Sequence, residues 1–300
     1  MKNHNLQKHS FHLVTPSPWP LMASVAALML TFGGVMYMHS FRHGGLVLAL
    51  GLLLLTVVLA VWWRDVIRES TFEGMHTQIV QEGLKLGMVL FITSEVMFFF
   101  AFFWAFFHVS LTPSIQIGAD WPPVGIVPPF MLVGLFVTYL LVASAIAFEY
   151  AHDNVLAGHN RRAALGLVVA VIFGLAFSAM QVYEYLEASF SISDSVYGST
   201  FYMLTGFHGL HVIIGTSFMF VCLLRILKGH FTRNHHVGLE AAGWYWSFVD
   251  WVWLGVFLSI YCWASQGTRH PFTGEMVKQV EWAPYAYRLY PPLILPRNSW

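Results

Sequence analysis

Gly44–Trp63 reads GGLVLALGLLLLTVVLAVWW, twenty residues without a charged side chain, bounded by His43 before it and Arg64 after it. A helix rising about 1.5 Å per residue needs about 20 such residues to cross the hydrocarbon of a bilayer. Within lipid every backbone N–H and C=O has to be paired inside the element. Helices and closed barrels achieve this, and a continuous apolar run lacks the alternation of a barrel strand. Six further windows of this kind flank the stretch: Trp19–Met38, Gly83–Phe107, Pro129–Phe148, Ala163–Tyr185, Tyr197–Leu227 and Ala241–Trp263. The pattern predicts an all-α membrane protein with seven transmembrane helices.

Composition agrees. The 300 residues carry 15 Lys+Arg and 15 Asp+Glu against 57% hydrophobic residues, too few charges to cover a water-facing surface of that size. The formal net charge of zero gives no electrostatic basis for binding nucleic acid. Cys222 and Cys262 both lie in apolar runs and read as inert thiols. Met1–His12 is polar and His-rich, without the apolar core of a secretory signal or the Arg-rich pattern of a transit peptide. For a mitochondrial protein this is expected either of a chain made inside the organelle, towards which the compact loops lean, or of one whose presequence has been removed.

Orientation follows from the loops. Lys2, Lys8, Arg64, Arg68, Lys85, Arg161, Arg162, Arg225, Lys228 and Arg233 fall on one side, and Arg42 alone on the short loops opposite. Ten against one predicts the N-terminus in the matrix or cytoplasm and the C-terminus outside. Small residues four apart, Gly166, Ala170, Gly174 and Ser178 in span five and Ala143, Ala147 and Ala151 in span four, predict close helix contacts.

Glu95 stands near the centre of the third span with Phe91, Phe98, Phe99 and Phe102 at helical offsets around it. A carboxylate at that depth is costly, so the side chain is expected to be protonated or partnered, with Asp250 and His208 as possible partners. At the basic ends of spans two and six, Trp62 and Trp63 precede Arg64 and Arg68, and Arg225 and Lys228 follow span six. Guanidinium forks beside interfacial aromatics suit an anionic phospholipid head group. Ordinary snorkelling of long cationic side chains is the plainer reading. Among the 15 histidines, His208 and His211 are three apart on one span, but no opposed pair for a haem and no His-Glu-x-x-His motif appears. No metal ligands and no catalytic residues are assigned.

Five stretches, in order, resemble subunit III of cytochrome c oxidase in the haem-copper oxidase superfamily. They are HLVTPSPWPL (12–21), WWRDVIRESTFEGMHT (62–77), FITSEVMFFFAFFWAFFH (91–108), ISDSVYGSTFYMLTGFHGLHVIIGT (192–216) and HHVGLEAAGWYWSFVDWVWL (235–254). The resemblance implies seven helices split by a V-shaped, lipid-holding cleft into groups of two and five. It also implies an accessory role without chemistry of its own: support of proton uptake, structural phospholipid and protection from inactivation during turnover. Haem and copper would reside in the partner subunits I and II. Glu95 matches the family's intramembrane glutamate, and Trp63, Arg68, His76 and Arg225 match its lipid-contacting positions.

The chain departs from the family at Tyr150–Ala151–His152–Asp153, where Trp-Ala-His-His is usual, at the Glu149 that precedes it, and in a Pro- and aromatic-rich extension from Thr268 to Trp300. Residues 1–266 are therefore expected to form the subunit III domain and 267–300 a tail docked on a neighbouring subunit. Location is expected in the mitochondrial inner membrane, or in a bacterial plasma membrane. An ion transporter using Glu95 and Asp250 is a rival, opposed by the lack of an internal repeat. A quinol-oxidising relative is a second, opposed by the number of spans.

Overall fold

The structure, a computed structural model, describes residues 9–118, 121–123, 126–129 and 131–264. Seven helices account for most of them: α1 (Trp19–Met38), α2 (Gly44–Thr71), α3 (Gln78–Leu111), α4 (Met131–Leu156), α5 (Asn160–Glu187), α6 (Ser195–Leu227) and α7 (Val237–Val256). After Val256 the last helix widens into a π-helical segment, Phe257–Trp263. All seven are long and apolar enough to cross a membrane. No strand occurs among the described residues.

The predicted bounds of the first span hold at both ends, whereas α2 and α3 run further than their apolar windows. Hydropathy marks the hydrocarbon and not the helix: nothing breaks the backbone ladder between Arg64 and Thr71, and the chain turns only at Gly74, where φ is +65°. The proposed docking of the tail falls outside the described residues.

The chain divides after Met88, within α3, into two compact units. In the first, α1 and α2 form an antiparallel hairpin built on glycine. A Cβ placed on Gly33 would fall 2.5 Å from the backbone N of Leu48, one on Gly44 2.6 Å from Tyr37 N, and one on Gly51 2.8 Å from Leu30 N. The two backbones thus touch at three levels, as lipid-embedded helices do when dispersion and not water drives their association. At the open end Trp19 Nε1 donates to Asp65 Oδ2 at 2.8 Å.

In the second unit α4, α5, α6 and α7 close into a four-helix ring, each packing antiparallel on its neighbours. The small-residue stripes meet as their spacing predicts: a Cβ on Gly166 would lie 2.9 Å from both Ala147 O and Ala151 Cβ, and Ser144 Oγ donates to Ala170 O at 2.8 Å. Trp253 fills the centre of the ring, 1% exposed, and donates through Nε1 to Thr138 Oγ1 at 2.8 Å. From Val89 onward α3 lies along the α6–α7 edge and meets it through long aromatic side chains: Phe91 stacks on Tyr245 at 6.3 Å, and Phe98 meets Phe207 edge-on at 5.0 Å.

Candidate functional site

The α3–α6–α7 seam holds the carboxyl that the sequence singles out. Glu95 Oε2 on α3 lies 3.0 Å from His211 Nε2 on α6. One turn back along α6, the Phe207 carbonyl sits 2.7 Å from His211 Nδ1. A carbonyl only accepts, so Nδ1 carries a hydrogen and the ring's tautomer is fixed from that side. One further proton then bridges Nε2 and Oε2, since a bare imidazole lone pair facing a carboxylate at that distance would repel it. On Glu95 this proton leaves two neutral groups, and on His211 it leaves an ion pair. The pair's net charge is zero in both cases, which removes the penalty of a lone carboxylate at that depth.

His211 takes the place expected for His208 or Asp250. Residues three apart on a helix diverge by about 60°, and His208 turns inward, where Nε2 donates to Val249 O at 3.2 Å between the rings of Phe177 and Trp253. Asp250 forms no bond with Glu95, and its buried Oδ1 has no hydrogen-bond partner. The expected aromatic wrapping of Glu95 is also corrected. Its side chain is 22% exposed against 9% for His211, and the rings gather on the histidine: Phe99 at 4.9 Å, Phe98 at 6.1 Å and Tyr245 at 6.2 Å. Phe102 is spent on Phe207 at 5.0 Å.

The residues read as lipid contacts occupy separate places. In the first unit Trp63 is 60% exposed, Arg68 Nε lies 3.4 Å from Glu73 Oε1 with most of its side chain open, and the His76 ring lies 5.7 Å from that of His12. Arg64 is drawn to its neighbour Asp65 at 2.8 Å. In the second unit the Arg225 guanidinium sits 4.2 Å above the Phe231 ring, and its buried Nε has no hydrogen-bond partner. Beyond the end of α6, burial first and then the charges of Arg225 and Lys228 hold His230 below its ordinary value. The shift favours the neutral imidazole. Among the described residues no three His, Cys, Asp or Glu side chains converge as metal ligands.

One polar cluster escaped the sequence reading. Glu184 on α5 accepts at Oε2 from the Tyr261 hydroxyl at 2.6 Å and from Gln181 Nε2 at 3.0 Å. A carboxyl inside the predicted limits of span five was the available signal.

The family model for cytochrome c oxidase subunit III matches residues 9–265. The chain belongs to that family. Proteins named cytochrome c oxidase subunit 3 are similar to it along nearly their whole length. That of Arabidopsis thaliana is 56% identical over 259 residues, covering 86% of this chain and 97% of the relative. That of Marchantia polymorpha is 57% identical over 259 residues, with the same coverage. That of Mammuthus primigenius is 52% identical over 260 residues, 86% of this chain and 99% of the relative. As a member of the subunit III family, the chain is part of a multisubunit, oxygen-reducing membrane complex. The Glu95–His211 pair and all four residues read as lipid contacts lie inside the matched segment, which ends 35 residues before Trp300.

Proposed function

We propose that this chain is an accessory, cofactor-free subunit of cytochrome c oxidase that assists proton uptake, holds structural phospholipid and prolongs the working life of the oxygen-reducing core. The observation that carries the reading is the match across residues 9–265 to subunit III. The site geometry supports it: Glu95 is closed on His211 as a net-neutral pair with one shared proton, a state suited to a structural carboxyl at membrane depth. Haem and copper belong in this reading to subunits I and II, its main partners, and residues 267–300 reach a neighbouring small subunit. The host is the mitochondrial inner membrane, with the basic loops and the N-terminus in the matrix. Separating the subunits of the purified complex and assaying each fraction for haem absorption and copper tests the central point. The metals are expected entirely with the other subunits, and one equivalent of haem retained by washed chain overturns the assignment.

The lipid role rests on Arg68 and Arg225. The open guanidinium of Arg68 has Glu73 as its competitor at 3.4 Å, a long contact that a phosphate can replace with a bidentate one. Arg225 is held by the Phe231 ring, which leaves its fork free of a carboxylate. A lipid-resolving structure of the complex is expected to show a phospholipid phosphate within hydrogen-bond reach of Arg68 or Arg225, with Trp63 against its glycerol or upper tails. Protein side chains filling both positions in that structure would remove the lipid role.

A further inference from the structure

The cluster around Glu184 is incompletely bonded. Its Oε2 takes two hydrogen bonds, while Oε1 is buried with no partner. Gln181, 5% exposed, donates through Nε2 to that carboxylate, which fixes its amide orientation and leaves a buried Oε1 also unpaired. Tyr197, at the start of α6, is fully buried among Phe190 at 5.3 Å, Phe201 at 6.2 Å and Trp121 at 5.2 Å, and its hydroxyl has no partner. The Phe201 ring that stacks on Tyr197 also meets the ring of Tyr185, the residue after Glu184, at 6.3 Å. Unpaired buried polar atoms are rare in folded proteins because each forfeits its hydration, and three in one neighbourhood call for a missing partner.

We propose that a buried water molecule is bound among Glu184 Oε1, Gln181 Oε1 and the Tyr197 hydroxyl, linking α5 to α6 beside the π-helical turn that carries Tyr261. The donor and acceptor count selects water. Two unpaired acceptors take its two hydrogens, and the Tyr197 O–H, a donor, fills one of its lone pairs. Three protein partners are the usual number for an internal water. A metal cation suits the set poorly, since it demands six or more oxygen ligands and leaves the phenolic hydrogen without an acceptor. The π-helical segment supports a built site, because such turns re-aim side chains and cluster at special positions. Tyr185 and Phe190 line an open surface pocket with Ser191, Asp194 and Tyr202, and Phe190 is also the ring that packs on Tyr197, so a single ring separates Tyr197 from that pocket.

Two measurements on the intact oxidase test the site. A water-resolving structure is expected to show a single density peak about 2.6–3.2 Å from Glu184 Oε1 and from the Tyr197 hydroxyl. An empty position, a direct Tyr197–Glu184 or Tyr197–Gln181 bond, or a peak with the short, many-oxygen coordination of a cation overturns the proposal. Tyr197→Phe gives a sign to read, because it deletes one oxygen and keeps the ring. With water bound, the variant strips a ligand from it and lowers the thermal midpoint for release of this subunit by about 2–4 °C. With the hydroxyl unpaired, Phe relieves a buried polar atom and the midpoint stays or rises, which also overturns the site.

Discussion

Stripping this subunit from the assembled oxidase is expected to slow proton uptake and shorten the active lifetime of the enzyme, whereas Glu95→Gln leaves the complex assembled and turnover within about twofold of wild type. The difference comes from what each change removes. Gln nearly matches the volume of Glu, and its amide N–H can donate to His211 Nε2, which the Phe207 carbonyl leaves as an acceptor. The bond survives in neutral form. An interhelical hydrogen bond in a membrane contributes about 0.6 kcal/mol on average, so even its partial loss changes a rate or population by less than about threefold. Glu95→Leu is the harsher variant, because it orphans a histidine nitrogen in an aromatic seam at a cost of about 1–3 kcal/mol. Depleting the subunit instead exposes protein surface to detergent or lipid and changes the water and charge around it together. Turnover, proton pumping and decay of activity per cycle, measured side by side in wild type, the two Glu95 variants and the depleted enzyme, separate these effects. A Gln variant that assembles but pumps no protons would make Glu95 a transfer group and end the accessory reading.

Gly33→Leu and Gly34→Leu, neighbours on α1, are expected to behave in opposite ways. A side chain on Gly33 meets backbone atoms of Leu48 and Val47 at 2.5–2.9 Å, which no rotamer change relieves, while nothing lies within 4 Å of the Cβ position on Gly34. The first substitution forces α1 and α2 apart and loses the dispersion contacts of all three glycine levels. Overpacking of this kind costs about 1–3 kcal/mol, occasionally more, a fall of about fivefold to 150-fold in correctly packed chain. The second adds a side chain to an open face and should be close to neutral. Yield of subunit retained in the complex on native gels, with protease sensitivity of the loop at His39–His43, reads the contrast. Equal retention of both variants would mean that the hairpin is not held by glycine contact.

Much of the fold was legible because lipid leaves few options: seven windows of hydropathy became seven helices, and the stripe at Gly166 and Ala170 met the stripe on α4 as spacing predicts. The helix ends were not legible, since the ladder continues through polar residues such as Arg64 and Arg68 once it has formed. Glu95 was legible as an anomaly, but its partner was a question of helix phase. His208 and His211 differ by a small rotation that no composition rule resolves, and only packing against α7 turned one inward and the other toward α3. The Glu184 cluster stayed hidden for a different reason. Its members come from two helices and a π-helical turn, and the turn shifts register in a way that 3.6-residue periodicity does not anticipate.

The glycine hairpin also bears on the order of biosynthesis. Its three close approaches join residues separated by 15, 7 and 21 positions, all between Leu30 and Gly51. Contacts so local close quickly and ask nothing of later sequence. The pair α1–α2 can therefore lock in the membrane while the ribosome is still translating the four-helix ring. An insertion machinery meeting this nascent chain would handle a finished hairpin first and a set of helices awaiting their partners second.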